Sequence, residues 1–402
     1  MAETLPRDIL DNIFSRLPIK SVLRCKRVCR PWRTIIGNNV GLLLTFHTIP
    51  KTTSHRVTEP YYGDPKYETK VEEYYSKNTL TPLKAVWEAY AMIGSCNGLV
   101  CYKAINHSKY SNDYLNFICN NPITGEAAYI SVSENQGRYF RSPVGGFGYV
   151  GSTNEYKVVR IHFKYWGGIV QVYTLGSHLG WRDKGNVPPL SPIFSTKESG
   201  VFANGALHWI NDCEQILVFG LADEEFCFIP SPPYYTYNNN WLYSSFKLIL
   251  LGGNLCVVHS NYEFTSRRLD IWVLKKNIGT SCGNAKRKRR ENYYDQTWSW
   301  SKEYSITWEG EVMYTPFVVT KLNTILLWQN GTSDLYYYDP KTSKLQRYCD
   351  GYRGYVYDQA IPHMNSLVSL KEIGETSYKY KKMMLGWTSE LSTESKSALV
   401  NV

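Results

Sequence analysis

Three sets of residues in this 402-residue chain have the types and spacing that chemistry uses. Gly146-Phe147-Gly148-Tyr149-Val150-Gly151 spells G-x-G-x-x-G, a turn that holds a dinucleotide pyrophosphate when it opens a helix. Here Ser152-Thr153-Asn154-Glu155 and a strand-like run follow, so the helix N-terminus that would receive the phosphates is missing. Gly94-Ser95-Cys96-Asn97-Gly98 has the outline of a nucleophile elbow with cysteine as the nucleophile. That chemistry needs a following helix and a base, whereas Gly98 leads into Leu99-Val100-Cys101-Tyr102, another strand. The segment predicts a tight turn with a buried thiol. His162, His208 and His259 fall in comparable strands, at offsets of 8, 4 and 5 from an Asn that recurs before each. Strand side chains alternate faces, so these offsets do not aim three imidazoles at one metal. No Asp or Glu recurs in register, and no P-loop, H-E-x-x-H or kinase signature is present. The expectation is no catalytic residue, no metal and no cofactor.

The charged and sulfur-bearing residues narrow the setting. Ten cysteines are scattered, mostly inside apolar runs, with no C-x-x-C pair and no histidine at zinc-finger spacing. This usage predicts reduced, buried thiols and a cytoplasmic or nuclear protein. Residues 1–6 lack a basic stretch leading into an apolar run, and the apolar stretch 246–259 is interrupted by Gly252-Gly253. Neither an export signal nor a membrane span is expected, and the sequons at Asn106 and Asn330 carry little weight. Lys286-Arg287-Lys288-Arg289-Arg290 is the one dense charge run. It reads as a nuclear localisation signal, a site for acidic partners, or a solvated loop.

The elements that must position these residues fall into two kinds. At 43% hydrophobic and 20% charged the chain is globular, and 33 Tyr with 12 Trp favour half-buried strands. Residues 1–40 differ. Ile9, Leu10, Ile13, Phe14 and Leu17 form a helical stripe, with Thr4 as N-cap and Pro6 in the first turn. Asp8 and Asp11 sit near the positive end of that helix, and Pro18 ends it. A second short helix can start at Ser21 with Val22 and Leu23, and a third follows Val28-Cys29 with Trp32, Ile35 and Ile36. Three short helices cannot bury so many large side chains among themselves, so the module completes its core on a partner.

Leu5-Pro6-Arg7-Asp8-Ile9-Leu10, Ile13 through Arg24, and Val28-Cys29-Arg30-Pro31-Trp32 closely resemble an F-box. The resemblance implies docking on the Skp-type adaptor of a Skp–cullin–F-box ubiquitin ligase, and through it on cullin. Leu5, Pro6, Ile9, Leu10, Ile13, Leu17, Pro18, Val22, Leu23, Val28, Cys29 and Trp32 would form the module's core and adaptor-binding face.

After residue 40 the helical period gives way to β-like runs with an internal repeat. Asn97, Asn154, Asn204, Asn254, Asn323 and Asn365 each lead into a strand, in steps of 57, 50, 50, 69 and 42 residues. A period of about 40–50 residues with several strands per unit is the signature of β-propeller blades. The fold expected is mainly β with a small α module: a three-helix F-box, then a propeller of about six blades. The sixth unit is short, and strands near 42–47, with the Tyr-rich region 67–75, would complete it and close the ring. An open sandwich-like stack is the alternative. Gly94–Val100, Asn121-Pro122-Ile123-Thr124-Gly125, Gly146–Tyr149 and Gly200–Trp209 resemble the F-box-associated, kelch-like domain of plant F-box proteins. The domains expected are an F-box at 1–40, the propeller at 41–390 with a basic insertion at 275–295, and a flexible tail at 391–402.

Together the resemblances imply a non-catalytic substrate receptor that brings a protein substrate to the ligase for ubiquitination. An adaptor-bound scaffold or competitor and a propeller enzyme acting on a small ligand are the rival readings. Substrate-contact residues do not follow from the sequence. Exposed aromatics such as Tyr234-Tyr235-Thr236-Tyr237 are candidates for that contact, and read more readily as a blade connection. The formal charge of +10 is carried by residues 1–40 and 275–295, at +5 each, which leaves a neutral propeller body. Broad nucleic-acid binding loses its support.

Overall fold

The structure, a computed structural model, describes residues 40–48, 58–63, 81–82, 89–104, 116–131, 141–164, 167–187, 199–211, 215–233, 244–262, 267–276, 298–320, 323–332, 334–349 and 355–379. Of the first forty residues it also describes Pro6, Ile9, Leu10, Ile13, Ile19–Cys25, Val28, Cys29, Trp32 and Val40. Leu5, Leu17, Pro18, Ile35, Ile36, Tyr234–Tyr237, Lys286–Arg290, the region 67–75 and the tail 391–402 lie outside the described residues.

Among the described residues the strands form six antiparallel sheets. Blade 1 contains β1 (Val40–Thr48), β2 (Thr58–Gly63) and β3 (Thr81–Pro82). Blade 2 contains β4 (Ala89–Cys96), β5 (Leu99–Ala104), β6 (Phe117–Asn120) and β7 (Glu126–Ile130). Blade 3 runs through β8 (Arg141–Val150), β9 (Glu155–Lys164), β10 (Gly167–Thr174) and β11 (Trp181–Asn186). Blade 4 follows with β12 (Val201–Ala203), β13 (Ala206–Ile210), β14 (Ile216–Gly220) and β15 (Phe226–Ile229). Blade 5 has β16 (Ser244–Leu251), β17 (Asn254–Asn261), β18 (Arg267–Lys276) and β19 (Trp298–Trp308). Blade 6 has β20 (Tyr314–Val319), β21 (Ile325–Gln329), β22 (Leu335–Asp339) and β23 (Lys344–Cys349).

The last two strands make the closures. β24 (Tyr355–Met364) returns to blade 1 and pairs antiparallel with β1, placing Met364 opposite Val40. β25 (Tyr378–Lys379) then adds a fifth strand to the outer edge of blade 2, against β7. The core shows why the ring closes. Its six clusters each join two neighbouring blades, because every blade buries both faces. In β5, Leu99 and Cys101 pack towards Phe147 and Val158 of blade 3, while Val100 and Tyr102 pack towards Leu43 of blade 1. In β1, Leu42 and Leu44 pack on Leu326 and Leu335 of blade 6, and the circle is complete. Two-sided burial is also why β14 reads Ile216-Leu217-Val218-Phe219-Gly220 without alternation, every residue buried.

Turn chemistry sets the hairpins. Asn97-Gly98 and Asn204-Gly205 have positive φ at both residues, the geometry that a two-residue turn between twisted strands requires. Asn154 and Asn323 are likewise left-handed. In blade 5 the turn is Gly252-Gly253, and Asn254 already opens β17. Asn365 departs from the expected repeat. It follows β24, the place of a following strand is taken by β1, and residues 365–377 instead cross to blades 2 and 3. The strand pairing at 42–47 is as expected.

The G-x-G motif has a packing role. A Cβ on Gly146 would sit 2.7 Å from Leu207, and one on Gly148 would overlap Leu221 and Phe202. The two glycines let β8 lie close against blade 4.

Candidate functional site

The N-terminal residues separate into a buried set and an exposed set. The Leu10 amide donates to the Pro6 carbonyl at 3.1 Å, an i to i+4 helical bond. The helix α1 spans Ile19–Cys25, two residues earlier than the sequence expectation, and the Val28 amide donates to the Cys25 carbonyl. Leu10 (2% exposed) and Val22 pack together, with Cys25 and Trp32 against them. Ile9, Ile13 and Val28 stand 44%, 41% and 66% exposed, and Pro6 is exposed as well. Ile9 and Ile13 are one helical turn apart, so they share a face. Leu23 lies in α1, but its side chain, like Leu5, Leu17 and Pro18, falls outside the described set.

Strand direction places this module relative to the blades. β1 begins at the end of the propeller where β4–β5 and β12–β13 make their tight turns. The connections 105–116, 131–140, 187–200 and 230–243 leave from the opposite end. The connection 277–297, which contains Lys286–Arg290, joins β18 to β19 at the end where the module enters.

Three polar clusters lie in the blade interfaces. Glu224, in the β14–β15 turn of blade 4, reaches into blade 3. Arg182 holds both its oxygens at 2.7 and 3.0 Å, Lys157 Nζ donates at 2.8 Å, and Lys184 Nζ also pairs with it. Burial pushes this carboxyl up, but the bonds from Arg182, Lys157 and Lys184 overcome it and hold the pKa at about 2. The adjoining open cleft, of about 340 Å³, is lined by Glu155 and Asp223 as well as Lys157, Arg182 and Glu224. Between blades 1 and 2, Ser95 Oγ lies 2.7 Å from His363 Nδ1. The Gln359 side chain accepts from the Met92 amide at 2.6 Å and donates to the Met92 carbonyl at 3.0 Å, as a strand backbone would. Ser95 belongs to the elbow-like motif, and its setting is an interblade seam. Cys96, the motif's thiol, is buried, and burial raises its pKa well above the ordinary value.

The three histidines do not converge. His208 Nδ1 contacts the Val201 carbonyl at 3.0 Å, and His259 stacks on Phe246 with centroids 4.4 Å apart. By strand alternation His162 shares the face of Val158, towards blade 2, whereas His208 shares that of Ala206 and His259 that of Val257, both at the blade 4–5 interface, so the three do not meet. Among the described residues no group of three or more His, Cys, Asp or Glu could hold a metal ion.

Sequence comparison decides what kind of chain this is. The F-box associated beta propeller domain matches residues 42–359, and the F-box domain matches residues 3–41. The chain belongs to the F-box proteins with an associated β-propeller. An Arabidopsis thaliana F-box protein, At3g07870, is 31% identical over 76% of this chain and 73% of its own length. The F-box/kelch-repeat protein At3g23880 of the same plant is 26% identical over 57% of this chain and 65% of its own length. The Arabidopsis F-box protein CPR1 is 23% identical over 85% and 83%. Among solved structures, an Aleuria aurantia lectin mutant in complex with α-methyl-L-fucoside aligns at 9% identity and a TM-score of 0.34, over 81% of this chain and 96% of the lectin. An F-box implies binding to a Skp-type adaptor, and in this F-box protein Ile9, Ile13 and Val28 are apolar and exposed on the matched segment.

What the sequence did not disclose are the interblade groups. Arg182, Lys157 and Glu224 are far apart in the chain and meet only across the blade 3–4 interface. Gln359 and Met92 meet only when the ring closes. No local pattern marks either pair.

Proposed function

We propose that this protein is the substrate-recognition subunit of a Skp–cullin–F-box ubiquitin ligase. The observation that carries the reading is the exposed apolar face of Ile9 and Ile13, with Val28 also exposed, backed by the buried pair Leu10 and Val22 and the partly buried Trp32. Burying large apolar side chains yields about 1.5–3 kcal/mol each, so such a face is a docking surface in need of a partner. The propeller then presents a protein substrate with the connections at the end opposite the F-box, and raises its effective concentration near the ubiquitin-carrying enzyme. The receptor does no bond chemistry itself. It works in the cytosol or nucleus, with Lys286–Arg290 as the nuclear signal.

The test is adaptor capture by the full chain and by Leu5→Asp, Leu17→Asp and Ile13→Asp variants. A carboxylate at an apolar contact is expected to abolish capture. Adaptor binding retained by all three variants would sink the docking assignment. Substrate half-life with and without the chain then separates a receptor from a passive scaffold. Fluorescence of a tagged chain with Lys286–Arg290 replaced by alanine checks the compartment.

A further inference from the structure

Blade 2 contains a pair of thiols that meet inside its core. Cys101 of β5 and Cys119 of β6 are directly opposed in the antiparallel register, and both are fully buried. Their sulfur atoms lie 3.1 Å apart. Cys96 belongs to the same apolar cluster, with Phe117, Phe147 and Tyr156 around it. A disulfide needs its sulfurs at about 2.05 Å and its Cβ atoms about 3.8 Å apart, a separation that opposed residues of neighbouring strands already approach. Drawing these two sulfurs together by about 1 Å is a side-chain adjustment.

We propose that Cys101 and Cys119 are an oxidative modification site, closed by peroxide into a cross-strand disulfide within the folded blade. One thiol is oxidised by hydrogen peroxide to a sulfenic acid and releases one water. The neighbouring thiol attacks that sulfur, the S–S bond forms, and the hydroxyl leaves as a second water after taking the thiol proton. Two thiols lose two electrons in total, and one peroxide is reduced to two waters. The bond would tie β5 to β6 across the connection 105–116. It would stiffen the blade on which residues 366–370 are seated through Asn121 and Glu126. Cys101 and Cys119 are fully buried, whereas Cys25 and Cys29 are partly exposed and meet oxidant first, so the pair responds to sustained oxidant. The site is independent of the ligase reading and survives its failure.

The experiment treats the reductant-free full chain with hydrogen peroxide, using oxidation of Cys25 and Cys29 as the internal measure of dose. Remaining thiols are blocked with N-ethylmaleimide, and non-reduced peptides are mapped by mass spectrometry. The expected result is a Cys101–Cys119 linked peptide that dithiothreitol separates. It is accompanied by a melting midpoint several degrees higher, which reverses on reduction. Cys119→Ala is expected to lose both, and if that variant fails to fold the wild-type peptide map decides. Recovery of Cys101 and Cys119 unlinked once Cys25 and Cys29 are fully oxidised overturns the site. So does a link made through Cys96, or one that appears only in denaturant.

Discussion

Glu224 shows how much of this molecule rests on single side chains at blade interfaces. Its carboxylate satisfies Arg182, Lys157 and Lys184, and the Lys157 side chain is only 7% exposed. Removing the carboxylate leaves the buried Lys157 ammonium with the Leu221 carbonyl and a longer contact to Glu155, and no close counter-charge, so Glu224→Ala is expected to cost about 2–4 kcal/mol in urea unfolding. Unfolding of Glu224→Ala at the wild-type urea midpoint would refute this role. Titration adds a second expectation. Burial holds His208 and His363 at about 4, below the ordinary 6.5. The unfolded chain therefore takes up protons first, and stability falls as pH drops from 6.5 towards 4, by at most about 1.4 kcal/mol per pH unit for each imidazole. Glu224, held at about 2 against an ordinary 4.5, contributes stability that is complete above 4.5 and drains only below it. Thermal melts across the upper interval should be less steep in pH for His208→Gln than for wild type. Identical slopes would refute the histidine assignment.

At the scale of elements, the hairpin turns and the closing segment carry different loads. Gly98 has φ +88, and a Cβ there would overlap Ser366 of the segment that follows β24. Gly253 has φ +79, with nothing within 4 Å of its would-be Cβ. Both substitutions pay for a left-handed residue, but only one also displaces a neighbour. Gly98→Ala is expected to cost about 2–4 kcal/mol and Gly253→Ala about 1 kcal/mol, read from melting or urea midpoints. Equal costs would mean that residues 365–370 are not seated on the turn. The seat is specific: Asn121 Nδ2 donates to the Ser366 and Val368 carbonyls, Glu126 accepts from the Leu370 amide, and Leu370 is fully buried in the blade 2–3 cluster. Leu370→Ala should cost about 2–5 kcal/mol by the same measurement.

For the whole molecule, closure is shared between distant parts of the chain. Blade 1 takes three strands from the beginning and β24 from near the end, and residues 365–379 then fasten blades 2 and 3. Deleting residues 1–39 leaves β1 intact, whereas deleting residues 1–48 removes it. The first deletion is expected to preserve one cooperative melt, and the second to abolish it by exposing β24 and the Leu326–Leu335 face of blade 6. Circular dichroism on both deletions checks this, and a cooperative melt without β1 would refute the closure. The two segments that carry the net charge, residues 1–40 and the connection after β18, attach to strands at one end of the propeller.

Local rules were enough for the parts that local rules build. The helical stripe at Ile9, Leu10 and Ile13, the Asn-led turns and the short apolar strands follow from periodicity and from the left-handed preference of Asn and Gly. That a strand, β9, follows the G-x-G-x-x-G run is likewise legible from the residues after it. Asn365 departs from the repeat, since a turn residue looks alike whether the next strand is its own neighbour or arrives from residue 40. Which faces meet was not legible. Because each blade is buried on both sides, Leu99 and Val100 look equivalent in sequence yet pack on different blades. The Glu224 cluster, the Gln359–Met92 bridge and the opposed pair Cys101 and Cys119 exist only because the ring brings remote strands into register. Side-chain contacts across a sheet or an interface are set by register and closure, and those are decided by burying both faces of all six blades at once.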